Sequence, residues 1–385
     1  MDKKQYGWAI CMACALLLFC TAGLAQTGFS AYQPYLTRIG GLTNTQASTV
    51  SAVSQSVWPG GNAGGDTADS KVRGEEDCHL RHSALRCFLF GVRFFPQLLR
   101  ILRGRGAFGM RAGAGRDDPG LSVIVASPII TLLVSRVSLR FSFFAEGAFI
   151  FLAAAVVWTV LRSRPDCLHT EPIGAHHVEA AKSYAPRNAP ARLSFFMMLG
   201  ILVFGMPGNN LYSYISALYQ STGFGAMEAS WLLSVFGIAL TAGKCIYGQI
   251  VDKMGTYRSS WILYILAALG TGLCCLARNG NFAVAAAGVI LMGLGLAVTT
   301  VSISMYAAGA ATEESYPATV TKYQVLSTLG ALLFGVVPGA AADRTGDYVL
   351  AFVIMLILTI AGAVIVQTTY HAIGKENRKL TEGRL

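Results

Sequence analysis

Long stretches of sequence without any charged residue constrain the fold of this chain more than any other feature. The longest of them cover residues 6–29, 194–227, 259–277, 281–311 and 348–370. A helix needs about 20 apolar residues to cross the hydrocarbon core of a bilayer, and each stretch has about that length or more. Charged residues make up 13% of the chain, whereas soluble domains contain about 25%. The sequence therefore predicts an all-α polytopic membrane protein.

The positive charges are distributed as in a membrane protein rather than as in a nucleic-acid-binding protein, although the net charge is +10. Outside residues 58–120, and apart from Lys244 within a span, fourteen Lys and Arg residues fall on one side of the predicted spans and five on the other. The smaller set is Arg38, Arg136, Arg140, Arg278 and Arg344. Because cytoplasmic loops carry an excess of Lys and Arg, we expect a multi-pass protein of the plasma membrane with both termini in the cytoplasm.

An internal repeat relates the two halves of the chain. With a shift of 182 residues, seven positions match at the start of each half. The pairs are Gly23 with Gly205, Tyr32 with Tyr214, Leu36 with Leu218, Gly41 with Gly223, Ala47 with Ala229, Ser48 with Ser230 and Val53 with Val235. The match stops at residue 57 and resumes with a shift of 208, which pairs Arg136 with Arg344 and Phe144 with Phe352. The first half is therefore short by about 26 residues, roughly one spanning helix.

The spans and the repeat divide the chain into four parts, and two repeated bundles are a common architecture of secondary transporters. We predict an N-terminal transmembrane bundle over 1–164, a cytoplasmic linker over 165–192, a C-terminal six-helix bundle over 193–372 and a cytoplasmic tail over 373–385. The predicted spans of the C-terminal bundle are 193–217, 228–251, 259–277, 282–306, 323–342 and 348–370. Those of the N-terminal bundle are 7–33, an incomplete 45–57, 121–135 and 141–162.

Residues 58–120 differ in composition from the rest of the chain. They contain ten of the thirty Lys and Arg residues, in a region that should hold about two spans. The cluster of Asp77, Cys78, His79 and His82 does not have the spacing of a common zinc site. The G-x-G-x-x-G pattern of residues 104–109 has no preceding strand, so it does not indicate a dinucleotide site. We therefore predict neither a metal nor a cofactor, and no nucleic-acid partner.

The failure of the repeat at residue 57 points to a change in the coding sequence. We hypothesise that residues 58 to about 120 are translated out of frame, with a deletion of roughly one spanning helix. The N-terminal bundle would then be incomplete, and this segment would be poorly compatible with a membrane. A membrane product that does not transport is therefore the alternative to an active transporter.

A charged motif stands at the cytoplasmic end of the second predicted span of the C-terminal bundle. In GQIVDKMGTYR, Gly248, Asp252, Lys253, Gly255 and Arg258 fit the pattern G-x-x-x-D-[RK]-x-G with a base after it. Gly248 would allow two helices to approach closely, and a carboxylate at a helix C-terminus is unfavourable unless a base is paired with it. We therefore predict a gating motif, whose ion pair forms in one conformation and breaks in the other. The alternative is that the two bases only anchor the cytoplasmic boundary.

Six spans, a basic central linker and this motif resemble the major facilitator superfamily. The segments 312–339 and 339–352 (GAAADRTGDYVLAF) look like the monocarboxylate and oxalate–formate transporter branch. The resemblance implies two pseudo-symmetric helical bundles, secondary active transport by alternating access, and a small organic anion such as a monocarboxylate as solute. A proton is a candidate co-transported ion. We expect a monomer. We also expect no enzymatic activity, because no span carries a recognisable nucleophile–base pair.

Polar residues within the apolar spans are the candidates for binding the solute, because transporter sites lie near the bilayer midplane between the halves. The candidates in the first span of each half are Tyr32, Gln33, Asn209, Asn210 and Tyr214. Since the repeat pairs Tyr32 with Tyr214, the two tyrosines could form a pseudo-twofold site. The alternative is a pair of interfacial tyrosines at the outer boundary of the membrane.

Lys244 and Glu146 are the charged candidates. A lysine inside a span is by default a functional hypothesis, here as the counter-charge of a carboxylate solute. The alternative for Lys244 is a side chain that extends to the cytoplasmic interface, about 12 Å along the helix. Glu146 is a candidate proton carrier, with an interfacial carboxylate as its alternative. Lys322 is predicted at the cytoplasmic end of its span.

Overall fold

The computed structural model describes residues 29–38, 41–49, 119–160, 184–208, 210–277 and 281–382. Within these ranges the regular elements are helices, and no strand is present. The prediction of an all-α protein is therefore confirmed for this part of the chain. The aberrant segment, its metal-like cluster and its glycine pattern lie outside the described residues.

The helices follow the predicted order of spans. In the N-terminal half they are α1 (Phe29–Arg38), α2 (44–49), α3 (Pro119–Arg136) and α4 (Leu139–Val160). In the C-terminal half they are α5 (Ala191–Gly208), α6 (Ile215–Ser221), α7 (Ala226–Leu276), α8 (Phe282–Ala310), α9 (Tyr316–Phe334), α10 (Val337–Thr345) and α11 (Val349–Glu382). A short 3₁₀ turn, Leu211–Tyr214, stands between α5 and α6.

Helix α7 has 51 residues, which corresponds to about 76 Å and exceeds the roughly 30 Å hydrocarbon core of a bilayer. Gly255 divides it, because its φ of 78° and ψ of 160° are not helical. The first limb (226–254) and the second limb (256–276) are therefore separate spans, as the sequence predicts. The other apolar stretches of this half that are long enough to cross a membrane are α5–α6, α8, α9–α10 and α11. With α7 divided at Gly255, the described C-terminal half therefore has six candidate spans.

The spans define two ends of the molecule. One end, which we call the linker end, contains residue 190, Gly255 and residues 311–315. The turns at 41–43, 222–225 and 346–348 lie at the other, which we call the distal end. The stretch 184–190 is docked at the linker end, where Ala189 N–H donates to the Ala310 carbonyl at 2.9 Å. Asn188 Oδ1 accepts from Thr312 N–H at 3.1 Å, so the last part of the linker is fastened to the turn between α8 and α9.

Glycines bring the two limbs of α7 and helix α8 into contact. A Cβ at Gly270 would overlap the backbone of Met292, and one at Gly295 would overlap the backbone of Ala267. Within a bilayer, lipid is as apolar as the side chains, so helix association depends on such close packing. The second limb and α8 therefore pack backbone against backbone.

A buried network of side-chain hydrogen bonds adds specific polar contacts to this packing. Tyr264 and Tyr306 place their hydroxyl oxygens 3.2 Å apart, and Gln367 Nε2 donates to Tyr306 Oη at 3.2 Å. The network joins the second limb of α7 to α8 and α11. These bonds hold the C-terminal half together as one unit.

The repeated positions adopt equivalent conformations. Gly41 and Gly223 both have a positive φ, of 66° and 102°, which glycine adopts without steric cost. Leu36 and Leu218 are both buried, as are the pairs at 47 and 229 and at 48 and 230. The positions that the shift of 208 pairs agree less well in burial, since Phe144 is exposed whereas Phe352 is buried. The two halves are therefore structurally related where the first half is described.

The packing at Gly270 leads to a direct test. Gly270→Ala is expected to lower the free energy of unfolding by about 1–3 kcal/mol, because the added methyl group overpacks the contact with α8. At Gly272, two residues away, the atom nearest to an added Cβ is Leu356 Cδ2 at 3.9 Å. Gly272→Ala is therefore expected to be neutral or stabilising by up to about 1 kcal/mol. Thermal unfolding of the purified protein in detergent measures both, and equal effects would contradict the packing.

Candidate functional site

The two halves contact each other at the distal end through the carboxylate of Asp343. Asp343 Oδ1 accepts a hydrogen bond from Asn44 N–H at 3.0 Å, and Oδ2 accepts one from Thr45 N–H at 2.9 Å. These donors belong to the start of α2, where backbone N–H groups have no partner within the helix. A carboxylate is also favourable there because the helix dipole is positive at its N-terminus. A residue of the C-terminal half therefore caps a helix of the N-terminal half.

Tyr348 extends this contact into the protein. Gln33 Nε2 donates to Tyr348 Oη at 3.1 Å, and Tyr348 O–H donates to Asn44 Oδ1 at 3.0 Å. The rings of Tyr348 and Tyr214 are stacked, with their centroids 5.8 Å apart. The solute candidate Gln33 is fully buried and lies at the contact between the halves.

A further contact joins positions that the repeat relates to each other. Ser30 O–H donates to the Tyr212 carbonyl at 3.1 Å, and the two residues are separated by 182 positions. Tyr212 lies in the 3₁₀ turn where the first span of the C-terminal half is interrupted. A carbonyl in such an interruption needs a partner when water is absent. The first spans of the two halves therefore meet near the pseudo-twofold axis.

The structure places Tyr32 and Tyr214 in the interior, not at an interface with water. Both are fully buried. The Tyr32 and Ser142 hydroxyl oxygens lie 2.8 Å apart, and the Tyr32 ring stacks on Phe143 at 4.4 Å. Tyr214 O–H donates to the Gly335 carbonyl at 2.7 Å. Each hydroxyl is bonded within its own half, so these bonds account for the two tyrosines without a solute.

Asn210 has a structural task as well. Its amide nitrogen donates to the Met206 carbonyl at 2.7 Å and to the Ala331 carbonyl at 3.0 Å. These bonds hold the end of α5 against α9 where the first span is interrupted. Asn209, the neighbouring candidate, lies outside the described residues.

Lys244 belongs to a stripe of polar and small residues on the first limb of α7. Its members are Ser230, Ser234, Gly237, Thr241, Lys244 and Gly248, spaced by four and three residues in alternation. This spacing places them on one face of a helix. Near the distal end, Ser230 contacts the N-terminal half, because Thr131 is hydrogen-bonded to its hydroxyl and Ser127 O–H donates to its carbonyl at 3.5 Å.

The apolar exposed residues of the same limb lie on a different face. Trp231 and Ile238 are each 54% exposed, and they are seven residues apart. Lys244 therefore shares the face that contacts the N-terminal half and not the face that carries these side chains. Lys322, by contrast, is exposed in the second turn of α9, on the face of Leu329 and Leu333.

Asp252, Lys253, Gly255 and Arg258 of the motif are exposed or partly exposed at the linker end. Within the part of the chain that the structure describes, none of its charged groups forms an ion pair. Gly255 supplies the positive φ that separates the two limbs. Gly248 does not make the predicted close approach, because a Cβ built there would meet no described atom within 4 Å. The close contacts are made by glycines at positions such as 270 and 295.

Glu146 lies on α4, one helical turn after Ser142 and therefore on the same face. Ser142 is bonded to Tyr32, so this face is directed toward α1. Glu146 is partly exposed and stands at the eighth position of the helix. In the described residues no group of three or more metal-ligating side chains comes together.

The profile of the Major Facilitator Superfamily matches residues 197–384. Monocarboxylate transporter 12 of Rattus norvegicus is 21% identical over 322 residues, which cover 70% of this chain and 66% of the relative. Monocarboxylate transporter 12 of Mus musculus is also 21% identical, over 189 residues that cover 43% of this chain and 39% of the relative. The chain thus spans less than two thirds of the length of either relative.

Over just under half of its length, the chain is therefore similar to the Major Facilitator Superfamily. Its structure is similar to that of the nucleoside transporter NupG, with a TM-score of 0.62 at 13% identity over 96% of this chain and 99% of that one. A D-xylose–proton symporter gives a TM-score of 0.62 at 14% identity, covering 94% and 97%. These likenesses confirm the predicted fold.

The match to the superfamily over residues 197–384 and the relatives named as transporters support the prediction of a multi-pass membrane protein that is related to transporters rather than to enzymes. The site residues remain predictions, but the structure adds some that the sequence reasoning missed. Asp343 and Tyr348 lie in the segment used for the family resemblance, yet nothing in the sequence pairs them with residues about 300 positions away. The stripe around Lys244, by contrast, is detectable from its alternating spacing.

Proposed function

We propose that this protein, whose residues 197–384 match the Major Facilitator Superfamily, is a secondary active transporter that moves a small organic anion, such as a monocarboxylate, by alternating access. The observation that carries the proposal is the position of Lys244. A cation inside a span, on the face directed toward the other half, is suited to neutralise a carboxylate in a low-dielectric site.

The solute class is supported by the charge of Lys244 and by the relatives, which are named monocarboxylate transporters. We propose that the other candidates contribute to the walls of the site. Gln33 Oε1 and Asn210 Oδ1 are buried without a hydrogen-bond partner among the described residues, so each retains an acceptor for a solute hydroxyl. Tyr32, Asn209 and Tyr214 remain candidates by position only.

In alternating access, polar contacts would form at the distal end in one conformation and at the linker end in the other. In this structure the halves are joined at the distal end through Asp343, while the motif around Asp252 makes no ion pair with described residues. We propose that this arrangement is the state of the transporter that is closed at the distal end. In the other conformation, we propose that the Asp343 bonds break and that Asp252 pairs with a base such as Lys253 or Arg258.

The membrane orientation follows from the charge distribution. We propose that the linker end faces the cytoplasm, so that both termini are cytoplasmic, and that the protein is a monomer of the plasma membrane. The proposed boundary between bundle and tail, residue 372, falls inside α11, which continues to Glu382. A helix of 34 residues extends about 20 Å beyond the hydrocarbon core, so the proposed tail begins as a helix.

The alternative, a product that does not transport, rests on residues 58–120. The nucleotide sequence across codons 55–125 decides whether another frame encodes apolar spans. Uptake by this chain, compared with a frame-corrected chain, then separates the two functions.

The first test compares Lys244 with Lys322. Lys244→Gln is expected to lower kcat/KM for radiolabelled lactate uptake into proteoliposomes by about 10-fold or more, because a charge-assisted contact to the carboxylate is lost. Lys244→Arg should retain part of the activity. Lys322→Gln is the matched control and should leave uptake unchanged. Equal effects at both lysines would refute the role of Lys244.

The second test concerns the two ends. Spin labels on Thr49→Cys and Met227→Cys, in a cysteine-free background, report the separation of the halves at the distal end. Asp343→Ala is expected to shift the distance distribution toward longer values, because the cap on α2 is lost. Asp252→Asn, at the linker end, should favour the short distances. An identical distribution in both variants would argue against alternating contacts.

The third test concerns proton coupling. Glu146→Gln is expected to abolish the acceleration of uptake by an inward proton gradient, because the amide cannot carry a proton in its place. Exchange of labelled for unlabelled solute should persist, since exchange needs no net proton movement. Glu376→Gln, in the exposed tail segment, is the control. Retained acceleration in Glu146→Gln would eliminate this residue as the proton carrier.

A further inference from the structure

Helix α9 has three faces, and only two of them are accounted for by packing and lipid. One face is buried against α5, where a Cβ at Gly330 would overlap the Leu202 carbonyl oxygen. A second face is apolar and exposed, with Leu329 41% and Leu333 59% accessible. These side chains are suited to contact lipid.

The third face is polar. Thr321, Gln324 and Thr328 are spaced by three and four residues, so they form a stripe on one side of the helix. Thr321 O–H donates to the Pro317 carbonyl and Thr328 O–H to the Gln324 carbonyl, each at 3.0 Å. Gln324 is exposed.

The stripe continues to the contact between the halves. Gly335 and Val336, between α9 and α10, keep right-handed helical φ and ψ angles, so the phase of the helix persists. On the same side, near the distal end, a Cβ at Gly339 would overlap Asn44, and Asp343 caps α2. The face that carries Gln324 is therefore the face directed toward the N-terminal half.

An exposed carboxamide within a span is costly if it faces lipid, because its donors and acceptor then have no partner. Toward the other half and nearer the linker end, which under the proposed function is open when the distal end is closed, it can be hydrated. The same reasoning applies to Lys244 on α7. The two residues thus belong to the two faces of the C-terminal half that contact the N-terminal half near the distal end.

We propose that Gln324 lines the aqueous solute pathway and donates a hydrogen bond to a carboxylate oxygen of the solute. The contact with the solute rests on the solute class of the proposed function, whereas the position of Gln324 along an aqueous pathway does not. A lysine ammonium is a compact charge with little directional preference, whereas a planar carboxamide has fixed donor directions. Gln324 would therefore orient the anion that Lys244 attracts.

Thiol labelling tests the position of Gln324 without any transport. Gln324→Cys and Leu329→Cys are prepared in a cysteine-free background and treated in proteoliposomes with a charged methanethiosulfonate reagent. Gln324→Cys is expected to react at least about 10-fold faster, because the reactive thiolate forms in water and not in lipid. Thr328→Cys should react at a similar rate to Gln324→Cys. Equal or inverted rates for Gln324→Cys and Leu329→Cys would overturn the proposal.

Lactate protection and uptake test the contact with the solute. Saturating lactate is expected to slow labelling of Gln324→Cys, and Gln324→Leu should raise KM for lactate about 10-fold, as for the loss of one hydrogen bond to a charged group. Gln324→Asn should recover part of the affinity. Fast labelling without protection, or an unchanged KM in Gln324→Leu, overturns the solute contact.

The two proposals fail in different ways. If the unsubstituted chain takes up no monocarboxylate, the proposed function fails. The ratio of labelling rates at Gln324→Cys and Leu329→Cys still decides whether Gln324 lines an aqueous pathway.

Discussion

Inside a bilayer every backbone N–H and C=O group needs a partner within the protein, and this requirement governs where the spans of this chain can be interrupted. The interruption after α5 is covered by Asn210, which donates to two carbonyls, and by Ser30, which donates to the Tyr212 carbonyl. The carbonyl of Gly335 is covered by Tyr214. Several polar residues that the sequence suggests as solute ligands therefore serve as hydrogen-bond donors to backbone carbonyl groups.

The same requirement connects the fold to transport. At the distal end, the backbone donors of α2 and the hydroxyl of Tyr348 form hydrogen bonds between the halves. Water can replace such polar bonds when the halves separate. Nearer the linker end, the faces that make these contacts carry Lys244 and Gln324. A transporter closed on one side requires a polar face that is bonded at one end and accessible to water at the other, which is the role that we propose for these two faces.

The spans can be predicted from the sequence because charge-free stretches of that length are rare outside membranes. The repeat is recognisable from glycines such as Gly41 and Gly223, which share a backbone conformation. Contacts are harder to predict. Whether a glycine permits close packing depends on which helix lies opposite, so the motif points to Gly248 although Gly270 makes the contact. The cap by Asp343 joins residues 299 positions apart, and no local pattern encodes it.

The docking of residues 184–190 changes what the central linker can do mechanically. Because Ala189 and Asn188 are bonded to the end of α8 and to the turn before α9, residues 184–190 are attached to two helices and not only to the start of α5. A displacement of the chain at residue 184 is therefore transmitted to α8 and α9 through these bonds, as well as to α5 along the backbone. The last part of the linker thus acts mechanically as a piece of the C-terminal half.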